Sequence, residues 1–201
     1  MNGDTAATQS GGRRQQIVEV AAGLFAVNGF HGVSMHEIGR AVGTSGPALY
    51  KHFASKESLL GTMLVDISEL LLAEGSRRAE EAAPDGSRAE LLALVRWHVE
   101  FALTRPALIS VQFRDLESLG TDDRRTVRRL QRQYVELWVR VICATTGADE
   151  SHARSAAHAV FGLINSTPHS ARLGSHEMAT LLEQMAISAL LGLLESSSSP
   201  D

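Results

Sequence analysis

Residues 34–53, SMHEIGRAVGTSGPALYKHF, gather hydrogen-bonding, basic and aromatic side chains around one short turn at Gly43-Thr44. Thr44, Ser45, Gly46, Pro47 and Ala48 are small or carry a hydroxyl. Small groups of this kind can approach base edges or a thymine methyl in a DNA groove. Tyr50, Lys51 and His52 follow, and Lys56 stands a turn further on. These can donate to phosphate oxygens, contacts that position a duplex without reading it. This is recognition chemistry rather than bond-making chemistry. The spacings that would mark catalysis are missing: there is no HExxH, CxxC, P-loop, GxGxxG or GxSxG. His152 and His158 are six apart and fall on different helix faces, which is poor for a metal. We therefore expect no catalytic residue, no cofactor and no metal.

The elements that position these residues read as helices almost throughout. Alternating β-branched runs and Asn-Gly or Asp-Gly hairpin turns do not occur, so no strand is expected. Ser34 with Glu37 three residues later makes a capping box, which opens a helix carrying Ile38, Ala41 and Val42. Gly43 ends it. A third segment, about 45–52, starts at Ser45 with Pro47 in its first turn, where a missing N–H costs nothing. Two short helices around a tight turn are a helix-turn-helix layout, with the second helix offered to the major groove. Ile38, Val42, Leu49 and Phe53 can bury against the first helix, 13–28. A fourth helix is capped by Ser55 and runs to about residue 82. Ser87 with Glu90 forms a second capping box, and helices over about 106–118, 121–147, 149–171 and 175–194 complete the chain. The fold class is all-α, with nine helices. Expected domains are a polar tail at 1–12, a DNA-binding domain at 13–58, a second helical domain at 59–195, and a tail at 196–201.

The stretch 13–60 resembles the DNA-binding domain of the tetracycline-repressor-like (TetR) family of transcriptional regulators. The matching residues run in order: Ile17, Ala21 and Phe25, the Gly29-Phe30 turn, Gly32, Val33, Ser34, Ile38, Ala41, Gly43 and Ser45. The string Leu49-Tyr50-x-His52-Phe53, then Lys56 and Leu59-Leu60, complete the match. The resemblance covers about a quarter of the chain. It implies a nine-helix architecture with helices one to three for DNA and the rest for ligand binding and dimerisation. It further implies a repressor that binds a pseudo-palindromic operator as a dimer and leaves it when an effector binds. Position by position, it gives Ser34, Tyr50, His52 and Lys56 to phosphates, and Thr44, Ser45, Gly46, Pro47 and Ala48 to the groove. Lys51 adds a charge on the same helix. This helix holds no Arg, Asn or Gln, so bidentate reading of guanine or adenine from within it is not available. Apolar contacts and DNA shape are expected to supply specificity.

Beyond residue 60 the resemblance is architectural only. The last two helices carry broad apolar faces rich in Ala, Leu and Met, and the family implies homodimerisation through that pair. Aromatic and polar residues interleave in the middle helices: Trp97, His98 and Phe101, then Phe113 and Arg114, then Tyr134, Trp138, Phe161 and Asn165. A pocket between helices would be lined in this manner, as would an ordinary core. His98, Arg114 and Asn165 would be costly to bury without partners, so they are the candidates for orienting a ligand. Arg124, Arg125, Arg128, Arg129 and Arg132 share one helix face. That face is either solvated or a seat for an anionic group such as the phosphates of an acyl-CoA thioester. The expected effector is accordingly a hydrophobic or aromatic compound, or an acyl-CoA thioester.

The chain has 201 residues, 44% hydrophobic and 21% charged, the balance of a globular protein. Its net charge of −4, averaged over the whole chain, speaks against a nucleic-acid partner. However, residues 13–58 hold five basic and three acidic residues, a net of +2 on an acidic body. One cysteine, Cys143, can make no internal disulfide. The opening MNGDTAATQSGG has no apolar leader, and no run approaches the ~18 apolar residues of a membrane span, so a cytoplasmic location is expected. Two other readings remain: a helical interaction protein, and an all-α enzyme without DNA binding. Steep weakening with salt separates DNA binding from the first.

Overall fold

The computed structural model describes residues 4–170 and 172–193; side chains of residues 4–11 and Gly46 lie outside that description, as does the expected tail at 196–201. Among the described residues there is no strand. All nine expected segments are helical. The eighth breaks at Asn165-Ser166, so that α8 (Glu150–Ile164) is followed by a single turn, α9 (Thr167–Ser170). Residues 4–12, expected as tail, belong to α1 (Asp4–Asn28). Ala6 and Ala7 carry helix propensity that the expectation underweighted, although Gly11 and Gly12 each cost about 1 kcal/mol relative to Ala.

The chain divides into two compact units, and the division differs from the expected one. The first takes the residues up to Ile67 and adds Ala107–Thr126; the second takes Ser68–Pro106 and everything from Val127. The boundary thus lies inside α4 (Lys56–Ala82), about two turns later than expected, and α6 (Pro106–Asp115) belongs with the head. The reason is specific bonding. Arg114 of α6 donates to the carbonyls of Phe25 and Ala26 at the end of α1, and Ser118 reaches His31.

In the first unit, α1 packs on α2 (Met35–Val42), and α2 on α3 (Gly46–Leu49). Ile17, Ala21 and Phe25 of α1, Ile38 and Val42 of α2, Leu49 and Phe53, and Leu59, Leu60, Met63 and Leu64 of α4 are all buried in this unit. Truncating any one of the larger of these to Ala costs about 2–5 kcal/mol. The capping box forms as expected: Glu37 N–H donates to Ser34 Oγ, and Ser34 N–H donates back to the Glu37 carboxylate. Gly43 ends α2 with φ +75°, a left-handed conformation that glycine adopts without strain.

In the second unit, α10 (Ser175–Leu191) packs on α5 (Ser87–Thr104) and α8, and α5 touches α8. The core comes from Leu91, Leu94, Val95 and Phe101, from Trp138, Val141 and Ile142 of α7 (Thr121–Thr146), and from Ala153, Ala157, Leu182 and Leu190. The second capping box does not form. Gly86, at φ +95°, is the N-cap, Ser87 Oγ donates instead to the Ala144 carbonyl, and Glu90 accepts from Arg140. Long-range partners for both side chains outweigh the local cap. Gly75 of α4 leaves room for Tyr134: a Cβ there would stand 2.7 Å from the Tyr134 ring.

Candidate nucleic-acid interface and buried aromatic cluster

The turn after α2 is fixed by two backbone bonds, Gly43 N–H to Arg40 O (3.1 Å) and Thr44 N–H to Gly39 O (2.8 Å). Arg13 closes the same helix end from α1 by donating to Val42 O (3.3 Å). From Ser45 the chain winds through α3, and the bonds Lys51→Ala48 O, His52→Leu49 O and Phe53→Leu49 O carry the turn to Phe53. Leu49 and Phe53 face inward and are buried. The opposite side presents Thr44, Ser45, Pro47, Ala48, Tyr50, Lys51 and His52, each exposed or partly exposed. Ser45 makes no side-chain cap bond, so its hydroxyl is available. Tyr50 is 55% exposed despite its ring, the placement of an aromatic residue that meets a partner. Arg40 and Lys51 stand exposed on this head.

Two residues expected at phosphates also have partners within the protein. Lys56 donates to the carbonyls of Phe30 and Val33 (2.8 Å each) and lies 4.3 Å from the Phe30 ring centre. Two of its three donors are thus engaged in pinning the loop between α1 and α2. Ser34 directs its hydroxyl to Glu37 (2.7 Å) and acts as a cap. Those Ser34 bonds, backbone first, hold the Glu37 carboxyl below its ordinary value.

In the second unit, seven of the nine proposed ligand residues come together. Phe161 stands at the centre: its ring is 4.8 Å from His98, 5.0 Å from Trp138 in an edge contact, and 5.8 Å from Tyr134 at an interplanar angle of 9°. Trp97 and Phe101 continue the cluster. Asn165 Oδ1 faces His98 Nε2 at 3.2 Å and can only accept, which assigns the ring proton to Nε2. Tyr134 then donates to Nδ1 at 3.4 Å. Burial drives the His98 pKa down to about 4, against a smaller upward pull from Asn165. The Tyr134 phenol is pushed up by burial. Trp97 N–H is satisfied by Leu71 O (3.1 Å), and Arg78 lies over the Trp97 ring while paired with Glu74 and Glu100.

Phe113 and Arg114 do not join this cluster. Phe113 is 93% exposed, and Arg114 belongs to the first unit, on the α1 carbonyls and Asp115. Sequence reasoning also missed a cleft of about 310 Å³ beside Cys143, lined by Glu136, Val139, Arg140 and Glu150. Its charged walls are already paired, Arg140 with Glu90 and Glu136 with Arg154. No spacing in the sequence marks it.

Residues 17–63 match the family model of bacterial regulatory proteins, tetR family, and residues 84–193 match that of the tetracyclin repressor-like C-terminal domain. The chain belongs to the tetR family.

Among relatives of this tetR-family chain is the HTH-type transcriptional repressor KstR2 of Rhodococcus jostii (strain RHA1), 31% identical over 65% of the chain and 64% of the relative. The match to the HTH-type transcriptional regulator UidR of Escherichia coli (strain K12) is 36% identical over 35% of the chain and spans 36% of that relative's length. Among solved structures, a TetR-family transcriptional regulator from Bordetella parapertussis 12822 is 26% identical, with a TM-score of 0.79 over 89% of this chain and 93% of that one. AibR, solved with isovaleryl coenzyme A and operator DNA, shares the fold at 21% identity, with a TM-score of 0.71 over 86% of this chain and 97% of that one. The two family models meet this tetR-family chain where its two groups of candidate residues lie: the outward helix-turn-helix face falls in the first, and the aromatic cluster in the second.

Proposed function

We propose that this protein is a ligand-responsive transcriptional repressor in the cytoplasm that binds a pseudo-palindromic DNA operator as a homodimer. The observation that carries the reading is the outward face from Thr44 to His52, held on a fully buried base of Ile38 and Leu49. Ser45, Pro47 and Ala48 enter the major groove, and Tyr50, Lys51 and His52 meet the backbone. Dimerisation runs through α8 and α10, where Leu181 (40%) and Met185 (46%) are exposed beside the buried row of Met178, Leu182, Ala186 and Leu190. The effector occupies the second unit. Its binding lowers operator affinity only by as much as it prefers the released state.

The aromatic cluster favours a hydrophobic or aromatic effector. An acyl-CoA thioester is the second reading, supported by the coenzyme A ligand of AibR. The arginine face supports it less well, since Arg124 is paired with Glu117 and Arg125 with Asp122.

Selection of bound DNA from a random pool tests the function. The expected product is a twofold-symmetric site, with half-sites one helical turn or a multiple apart. Arg40 and Lys51 of two heads give about four phosphate neutralisations, so log affinity should fall against log salt with a slope of about −4. No enrichment above the starting pool, or a salt-independent affinity, refutes the proposal.

A further inference from the structure

The outward face of the head lacks the side chains that carry a directional base code. From Thr44 to His52 there is no Arg, Asn, Gln, Asp or Glu. Leu49 is 0% exposed and takes no part in that face. Pro47 has no N–H to offer, and the Ala48 N–H is taken by Ser45 O (3.0 Å). The polar side chains beside the first turn of α3 are thus the hydroxyls of Thr44 and Ser45, and the Ser45 hydroxyl makes no cap bond. A hydroxyl donates or accepts by rotating. It therefore pairs with an adenine amino group or with a thymine or guanine oxygen, and separates them poorly.

Pro47 is exposed and Ala48 partly exposed, and both present carbon rather than hydrogen-bonding surface. In the major groove one feature answers to carbon: the C5-methyl group, which thymine alone of the four bases displays. Neither side chain has a stem to hold the chain away from the base edges. The Pro47 ring fixes its own φ, and Ala48 has no rotamer to lose, so this surface is rigid before it meets DNA. Behind it Ile38 and Leu49, both 0% exposed, and Val42 form the buried base. Readout of shape, the other route to specificity, draws on cations set into a narrow minor groove. Arg13 and Arg14 of α1 are engaged within the unit instead, Arg13 with Val42 O and Arg14 with Thr62 and Asp66.

We propose that the head reads C5-methyl groups: Pro47 and Ala48 touch the methyl of thymine in each operator half-site. The same surface prefers 5-methylcytosine to cytosine, because the added methyl sits at the same ring position. This rests on the reading of Thr44 to His52 as the DNA face. Each methyl taken out of water is worth about fourfold in affinity, and a twofold operator counts it twice.

The full-length protein is titrated by fluorescence anisotropy against the operator selected from a random pool. Each thymine of a half-site is replaced in turn by deoxyuridine, which keeps every hydrogen bond and loses only the methyl. At one or two positions the affinity should fall about fourfold, and about fifteenfold when both half-sites are changed. Cytosine at such a position should weaken binding, and 5-methylcytosine should recover about fourfold per half-site. Pro47→Ser and Ala48→Gly should each shrink a deoxyuridine penalty while leaving the salt slope and the binding of unrelated DNA unchanged. Misfolding would move all three together, and the series of duplexes with the unaltered protein decides without the variants. A change of less than twofold at every thymine overturns the proposal and leaves specificity to DNA shape. So does a half-site without thymine, a penalty untouched by both variants, or a loss on 7-deazaguanine with thymine indifferent, which moves the reading to Lys51. If no sequence is enriched from the pool, the regulatory reading fails and this inference with it. If an operator is enriched yet indifferent to deoxyuridine, the regulatory reading stands and the methyl contact alone fails.

Discussion

Lowering the pH from 7 to 5 should destabilise this protein mainly through one residue, His98. Its ring is buried, and both nitrogens are engaged, with Tyr134 and Asn165. Burial drives its pKa down to about 4, from an ordinary value of 6.5. Between those two values the unfolded chain binds the proton and the folded chain does not. Stability therefore rises with pH across the window and is lost as the pH falls through it. The full difference corresponds to about 3 kcal/mol, of which about 2 kcal/mol is lost between pH 7 and pH 5. Carboxylates with lowered values behave differently. Glu74, held at about 2 by the guanidinium of Arg77 and then by that of Arg78, contributes stability that is lost only as the pH falls below 4.5. The window from 7 to 5 thus isolates the histidine. Urea unfolding, followed by tryptophan fluorescence at fixed protomer concentration, measures the effect. Wild type should lose about 2 kcal/mol between the two pH values, and His98→Gln less than about 0.5 kcal/mol, whatever its stability at pH 7. Equal losses in the two proteins refute the reasoning.

Tyr50→Ala and Lys51→Ala should each weaken binding to operator and unrelated DNA alike, and only Lys51→Ala should flatten the salt slope, by about 2 for the dimer, in a fluorescence anisotropy titration. Lys56→Met should lower the unfolding midpoint, because the Phe30 and Val33 carbonyls lose their donor, yet leave the salt slope unchanged; a flatter slope would return Lys56 to the phosphates. Ser34→Ala should cost about 0.5–2 kcal/mol in urea unfolding through loss of the cap. Gly43→Ala should destabilise by about 1 kcal/mol or more through its left-handed φ, and a neutral result would mean that the turn relaxes.

What was legible in the sequence was local. Ser34 and Glu37 form their capping box because both partners lie within four residues and nothing distant competes. Asp149 caps α8 by accepting from Ser151 and His152 for the same reason. Ser87 and Glu90 have the same pattern and fail, because Ala144 O and Arg140 come within reach only once the chain has folded. Arg114 lies apart from the aromatic cluster for a related reason. Interleaved aromatic and polar residues identify helices with a polar-apolar face, but not which compact unit a helix joins. The bonds that carry α6 to the end of α1 span 88 and 89 residues. The cluster around Phe161 was legible as a set of residue types, whereas the pairing of His98 with Tyr134 and Asn165 is a property of packing alone.

The charge on the head shows how that limit bears on function. Of the five basic residues that give 13–58 its net of +2, three have partners within the unit: Arg13 at Val42 O, Arg14, itself exposed, at Thr62, Asp66 and the Phe53 ring, and Lys56 at two loop carbonyls. Much of the positive charge of the head is thus engaged in contacts within the unit, beside its apolar core. On the proposed function, few cations remain for phosphates, so sequence-independent attraction to DNA is modest, and the proposed binding draws on the fit of Thr44, Ser45, Pro47 and Ala48 to a groove of suitable shape. A weak non-specific term suits the proposed release by a small molecule. Coupling of about 1–3 kcal/mol between ligand and DNA suffices to free such a head from its site, whereas it would be lost against a strong electrostatic background.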